Sequence, residues 1–252
     1  MKPVHRLLEV SNLEARAGGV KILDGIDFSI DRGEVVAIMG QNGSGKSTFA
    51  HVIMGNPSYT ASGLAVFCGK KILSLPTQDR ARLGIFLGFQ SPVAIPGVSV
   101  ANIIHEIGVM GKKNGKNTPL RYSDIKCTAS DLGIPEKLLS RGIHDGFSGG
   151  ERKKIELLQA VLLRPKLALF DELDTGVDVD ALSVMARVIG DLAKSGTGII
   201  VISHNTRILR HLPVSRVVVF AGGRIVHSGG PSVIDSIEAK GFSQFIQEST
   251  NP

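Results

Sequence analysis

Short apolar bursts set apart by Gly and Asp dominate the first forty residues: Leu7–Val10, Ile26–Ile30 and Val35–Met39. Runs of this length between turn formers predict strands joined by turns. Val35–Met39 is apolar without interruption, the pattern of a strand covered on both faces. The period then changes. Lys46–Met54 has helical spacing and Asn56-Pro57 closes it. Residues 58–90 return to short strand signals around a helical stretch, Thr77–Leu83.

From Ser91 to Phe147 the texture differs. Val98–Met110 and Ser123–Ser140 read as mostly helical, separated by a Gly/Lys/Asn loop at Gly111–Arg121. This stretch, 91–147, is expected to be a helical subdomain inserted into a sheet-containing core built from 1–90 and 148–252. Helix Gly149–Leu163 follows, with Ile155, Leu158 and Leu162 on one stripe, the charges Glu151–Lys154 in its first turn, and Pro165 stopping it. Strand Leu167–Phe170, helix Asp180–Ala193, and strands Gly198–Ser203 and Arg216–Phe220 alternate as parallel α/β units do. The last ten or so residues are polar and predict a frayed end.

Composition narrows the class. With 42% hydrophobic residues in 252, the chain can build a real core, which excludes wholesale disorder. Its 30 glycines have no three-residue period, so they read as turns and phosphate loops rather than collagen. The formal charge is +6, but the dense basic stretch (Lys112, Lys113, Lys116, Arg121) lacks aromatics and reads as a solvated loop, not a nucleic-acid surface. Cys68 and Cys127 lie too far apart for a metal knuckle, and an iron–sulfur cluster normally needs four thiolates. A reducing, cytoplasmic setting is the economical expectation. The start, MKPVHRLLEV, has no apolar signal-peptide region, and no apolar run approaches the ~20 residues of a bilayer span. Membrane contact is therefore expected only through a partner.

The sharpest chemical signal is a loop. Gly40, Gln41, Asn42, Gly43, Ser44, Gly45, Lys46 and Ser47 match G-x-x-x-x-G-K-[ST], between an apolar strand and a helix, with Thr48 next. Such a loop wraps phosphates with its backbone N–H groups, and the helix N-terminus adds partial positive charge. Lys46 is expected to reach the β/γ-phosphates and Ser47 to ligate Mg²⁺. Downstream, Leu167-Ala168-Leu169-Phe170-Asp171-Glu172 ends a buried strand in two acids. Asp171 suits a Mg²⁺ held through water, and Glu172 suits the general base that polarises the attacking water. Ser148-Gly149-Gly150-Glu151 opens another helix with Ser148 as N-cap and two glycines that leave N–H groups uncovered, a second place for an anion.

Taken in order, the loop at Gly40–Ser47, then Gln90, Ser148-Gly149-Gly150-Glu151, Asp171-Glu172, Asp178 and His204 resemble an ABC-type ATPase domain over nearly the whole chain. The resemblance implies a P-loop NTPase fold of the ABC-ATPase kind: α/β, with a mixed sheet core, an antiparallel β subdomain and the inserted helical subdomain. It implies ATP and Mg²⁺ as cofactors, with Gln90 sensing the metal and the attacking water and His204 on the γ-phosphate. Ser148, Gly149 and Gly150 of one protomer would cover ATP held by the loop of another, with Asp178 at the interface. The implied assembly is a head-to-tail homodimer. More narrowly, Gly84–Ser99, the Phe147 form of the signature, Asp174–Leu182 and Arg207-Ile208-Leu209 resemble the SufC branch, soluble ATPases of iron–sulfur cluster assembly. That branch implies SufB/SufD-like soluble scaffold proteins as partners; the alternative is the ATP-binding subunit of a membrane ABC transporter. Three positions depart from the pattern. Glu14–Val20 lacks the aromatic that stacks on adenine, Thr175 stands for the usual Ser, and Asn205 follows the histidine where Tyr is frequent.

Overall fold

The computed structural model describes residues 6–110 and 120–248. Gly18 and Gly19, both at positive φ, close a hairpin between β1 (Arg6–Ala17) and β2 (Val20–Asp31). β4 (Thr60–Phe67) pairs with the free edge of β1, and β5 (Lys70–Lys71) with β4, giving an antiparallel sheet in the order β2-β1-β4-β5.

The second sheet carries the chemistry. It comprises β3 (Val35–Met39), β6 (Ile85–Gly88), β9 (Leu167–Asp171), β10 (Gly198–Ile202), β11 (Arg216–Ala221) and β12 (Arg224–Gly229), in the order β12-β11-β3-β10-β9-β6. Every neighbouring pair is parallel except β11 with β12. The carboxyl ends of β3, β6, β9 and β10 therefore open on one edge, where α/β sheets bind ligands.

The uninterrupted apolar pattern of β3 now has its reason. Val35, Ala37 and Met39 face one apolar layer, while Val36 and Ile38 face another. The first layer holds α5 (Gly149–Leu163) and α6 (Val179–Lys194), with Leu158, Met185 and Ile189 fully buried. The second holds α1 (Lys46–Met54) and the antiparallel sheet, where Phe49 packs edge-on to Phe28 at 5.1 Å between ring centroids.

Between the sheets' strands run α2 (Thr77–Leu83), α3 (Val100–Met110) and α4 (Tyr122–Asp131). The region read as mostly helical at Ser123–Ser140 is so, but in two pieces. α4 stops at Asp131, Gly133 turns at φ 61, and after Pro135 only a single tight turn, Glu136–Leu138, remains helical. The helix expected from Val98 starts at Val100, because Ile95–Ser99 is β7, paired with β8 (Gly142–Ile143). α1 ends at Met54 as expected, with Gly55 in the left-handed region as its cap ahead of Asn56-Pro57, and α5 ends at Leu163 with Arg164 capping it in the same region.

The expectation of a frayed end is corrected as far as Glu248. α7 (Ser232–Lys240) and α8 (Ser243–Glu248) follow β12, and Phe245 is buried with its ring 4.6 Å from that of His227. One aromatic anchors a stretch whose polar composition hid it. Residues 249–252, and most of the basic loop at 111–119, lie outside the described residues. Among the described residues no helix is long and apolar enough to cross a membrane.

Candidate functional site

The loop after β3 is built by close approach. A Cβ on Gly40 would lie 2.3 Å from the Phe220 carbonyl oxygen, so only glycine lets the chain leave β3 against β11. Gly45, at φ 104, turns directly into α1, whose first turn has neither a side-chain cap nor an acidic residue. Its N–H groups are left for an anion. Gln41, Asn42 and Gly43 form the exposed crest, Ser44 is buried beneath it, and Ser47 and Thr48 are half-buried on α1.

Lys46 lies folded over this loop. Its ammonium donates to the carbonyls of Gly40 and Gln41, both at 2.8 Å, and to Ser44 Oγ at 3.4 Å. Burial pushes its pKa down, against the pull of Glu172 and Asp171. These are neutral acceptors, and phosphate oxygens would be stronger ones for the same three donors.

At the end of β9, Asp171 is buried and its Oδ1 has no hydrogen-bond partner. Burial pushes its pKa up, while the nearby Ser47 side chain works in the other direction by favouring the ionised form. An orphaned buried carboxylate oxygen beside a hydroxyl is a hard-oxygen donor pair. Among the described residues no three His, Cys, Asp or Glu side chains cluster as a metal cage. Mg²⁺ in a phosphate site needs only one or two protein oxygens besides phosphate and water, so the residues present fit it.

Three loops then converge on one carboxylate. Glu172 Oε2 accepts from Gln90 Nε2, just beyond β6, at 2.6 Å. Its Oε1 lies 3.0 Å from Nδ1 of His204, just beyond β10, so Nδ1 is the nitrogen that carries the proton toward the acid. The backbone of Glu172 is left-handed at φ 50, and its N–H donates to Ile202 O at 2.9 Å, tying β9 to β10. Ser203, fully buried, shapes the turn before His204 by accepting from the Asn205 N–H and donating to the Asn205 carbonyl.

The second glycine-rich helix start is elsewhere. Ser148 Oγ accepts from the Glu151 N–H and the Glu151 carboxylate from the Ser148 N–H, a reciprocal cap on α5. A Cβ on Gly149 would meet nothing within 4 Å. Asp178 caps α6 by accepting from Ala181 N at 2.8 Å. Ser148, Gly150 and Asp178 line one cleft of about 270 Å³ together with Gly133 and Lys154, and no residue of 40–48 borders it. The sequence-predicted residues thus fall into two groups, one around Lys46 and Glu172, the other around Gly149.

Sequence reasoning missed Lys153. It counted as one of the charges opening α5, yet it is buried behind Gln90. No local signal marks it, because its partners are backbone carbonyls far away in the chain. The β1–β2 turn carries no aromatic, in keeping with the sequence there.

A phosphate loop opening on the carboxyl edge of a parallel sheet, beside a buried acid, defines a nucleoside triphosphatase of the P-loop class. The family follows from comparison. The family model described as ABC transporter matches residues 23–175, and the chain belongs to this family. It is 41% identical over 246 residues to a protein of Pyropia yezoensis named "Probable ATP-dependent transporter ycf16", covering 96% of this chain and 98% of that one. A "Probable ABC transporter ATP-binding protein" of Streptococcus pyogenes serotype M3 is 38% identical, with 96% of each chain covered. Among solved structures, the ADP conformation of the ATP-binding cassette MJ1267 superposes with a TM-score of 0.74 at 25% identity, covering 98% of this chain and 99% of that one. A structure described as a dimer of the bacterial cassette MJ0796 shares the fold at 18% identity, TM-score 0.76, covering 89% and 98%. The chain is accordingly an ATPase that uses ATP with Mg²⁺.

Proposed function

We propose that this chain is a cytoplasmic ATPase of the SufC kind, which turns ATP hydrolysis into rearrangement of soluble SufB/SufD-like scaffold proteins during iron–sulfur cluster assembly. The observation that carries this reading lies beside Gln90. An exposed apolar stretch runs around it, with Phe89 just before it and Val93, Ile95 and Val98 after it all open to solvent. A partner covering that stretch would press on the residue that holds Glu172, so docking and hydrolysis would be linked. The Gly84–Ser99 sequence that forms this stretch is also one of the parts that resemble SufC.

In this reading Lys46 leaves the loop carbonyls for the phosphate oxygens, and Gly40–Thr48 cradle the triphosphate with backbone N–H groups. Ser47, Asp171 and Gln90 would hold Mg²⁺, which would supply neutralisation of the phosphates' charge. Glu172 accepts the proton of the attacking water, and His204 orients Glu172 from the other side and meets the γ-phosphate. Ser148, Gly149, Gly150 and Asp178 serve the nucleotide of a second copy, in the head-to-tail manner the resemblance implies. Residues 91–147 act as the helical subdomain, and 1–90 with 148–252 as the catalytic core.

A second reading, the ATP-binding subunit of a membrane transporter, is favoured by the names of the relatives. Tagged full-length chain recovered from native extract separates the two. Co-purifying soluble scaffold proteins is the expected result, whereas an integral membrane subunit in their place would overturn the Suf assignment.

A further inference from the structure

Beneath Gln90 lies a set of polar groups that the chemistry described above leaves unused. Lys153 on α5 is 3% exposed. Its ammonium donates to the carbonyls of Phe89 at 2.7 Å, Gln90 at 2.8 Å and Asp171 at 3.3 Å. Nearly one turn further along the same helix, Glu156 is 4% exposed, and the nearby Phe89 N–H favours its ionised form. Its Oε2 has no partner and lies where a Cβ on Gly88 would come within 3.1 Å.

Lysine and glutamate are rarely buried this fully, because each gives up hydration that only good partners replace. Here the partners are main-chain groups of one short segment, Phe89-Gln90, together with the end of β9. Two side chains of one helix therefore lie under that segment, Lys153 bonded to its carbonyls and Glu156 close to the Phe89 N–H. Side-chain bonds to the backbone fix where Gln90 starts, and so where its amide ends.

We propose that Lys153 and Glu156 are positioning residues for hydrolysis: they hold the main chain at Gln90 so that its amide meets Glu172, and they make that meeting follow the position of α5. The direction of the link is set by the helix. α5 begins at Ser148-Gly149-Gly150, the part assigned above to the neighbouring protomer's triphosphate, and Lys153 sits about 6 Å along its axis from Gly149. A neighbour's nucleotide that draws on the start of α5 would thus adjust Gln90 in this chain. The inference rests on the reading of Gln90 as a residue that serves Glu172.

Single-turnover ATP hydrolysis by the full-length chain, with ATP affinity measured alongside, tests it through a double-mutant cycle. Lys153→Met is expected to slow hydrolysis tenfold or more, with the dissociation constant for ATP within about twofold of the unmodified chain. Combined with Gln90→Ala, it should add nothing to the slowing caused by Gln90→Ala alone. Multiplicative losses in the double variant, or an unchanged rate in Lys153→Met, would overturn the positioning role. An unchanged rate in Gln90→Ala would instead remove the reading of Gln90 itself, so the two failures are distinguishable. Glu156→Gln, which keeps a polar oxygen near the Phe89 N–H, should lose less than Glu156→Leu, which has none; equal losses count against the proposal. Should Lys153→Met melt early, the cycle of Glu156→Leu with Gln90→Ala reads the same coupling.

Discussion

Glu172 and His144 share an uncommon backbone: both are non-glycine residues in the left-handed region, at φ 50 and φ 59. For Glu172 the conformation turns the carboxylate back between Gln90 and His204. For His144 it accompanies complete burial, with Nδ1 unpartnered. Desolvation, reinforced by Arg152 and Lys153, pushes the pKa of His144 down to about 4. The unfolded chain binds this proton below about pH 6.5, the ordinary histidine value, and the folded chain refuses it until about pH 4. The contribution is therefore intact above pH 6.5 and is lost as pH falls toward 4. His144→Asn keeps a residue tolerant of the left-handed region and removes the titration. Thermal melts from pH 7 to 4.5 should show the variant losing about 2 kcal/mol less stability than the parent across that range; parallel curves would refute this. The sequence named Glu172 as the acid, but neither its backbone nor the burial of His144 and Lys153 could be read there. Each depends on groups supplied by distant segments.

At the level of elements, local periodicity was a good guide where a helix or strand packs by its own pattern. α1, α5, β9 and β10 stand within one residue of their expected spans. It set no boundary where apolar spacing outlives the backbone. Ile125, Leu132 and Leu139 are all buried at seven-residue intervals, close to two helical turns, so the mostly helical reading ran on across Gly133 and Pro135, where the helix breaks. α7 and the β7–β8 pair went unread because their packing and pairing partners lie elsewhere in the chain, whereas β12 was missed although it pairs with β11 across the Gly222-Gly223 turn. The end of α1 shows how one element completes another. Arg80, buried on α2, donates to the carbonyls of Val52 at 2.7 Å and Ile53 at 2.9 Å, and also to Leu73 and Leu75. Arg80→Met leaves four carbonyls without their donor and should cost about 3 kcal/mol. A shift of the urea midpoint to lower concentration reads that loss, and an unmoved midpoint would show water replacing the guanidinium.

For the whole molecule, the decisive feature is separation. The six-stranded sheet lies between two apolar layers and carries Lys46, Asp171, Glu172 and His204 at one edge, while Ser148, Gly150 and Asp178 line a cleft that the phosphate loop does not border. The sequence contained both groups, and only through its family resemblance did it imply that they serve different nucleotides. If the second group serves a second copy, stopping hydrolysis without weakening ATP binding should hold two copies together. Glu172→Gln keeps the side chain's shape and removes its basicity, so with saturating Mg-ATP it should elute as a dimer in sizing chromatography with light scattering. A variant that binds ATP and stays monomeric would contradict the shared site.

The backbone at Glu172 has an evolutionary side. A left-handed glutamate forgoes on the order of 1 kcal/mol that a glycine at that position would recover. Heat tolerance and turnover therefore pull this residue in opposite directions. A lineage selected only to survive boiling would be free to abandon the acid; one that must keep working cannot, and has to find its robustness somewhere else in the chain.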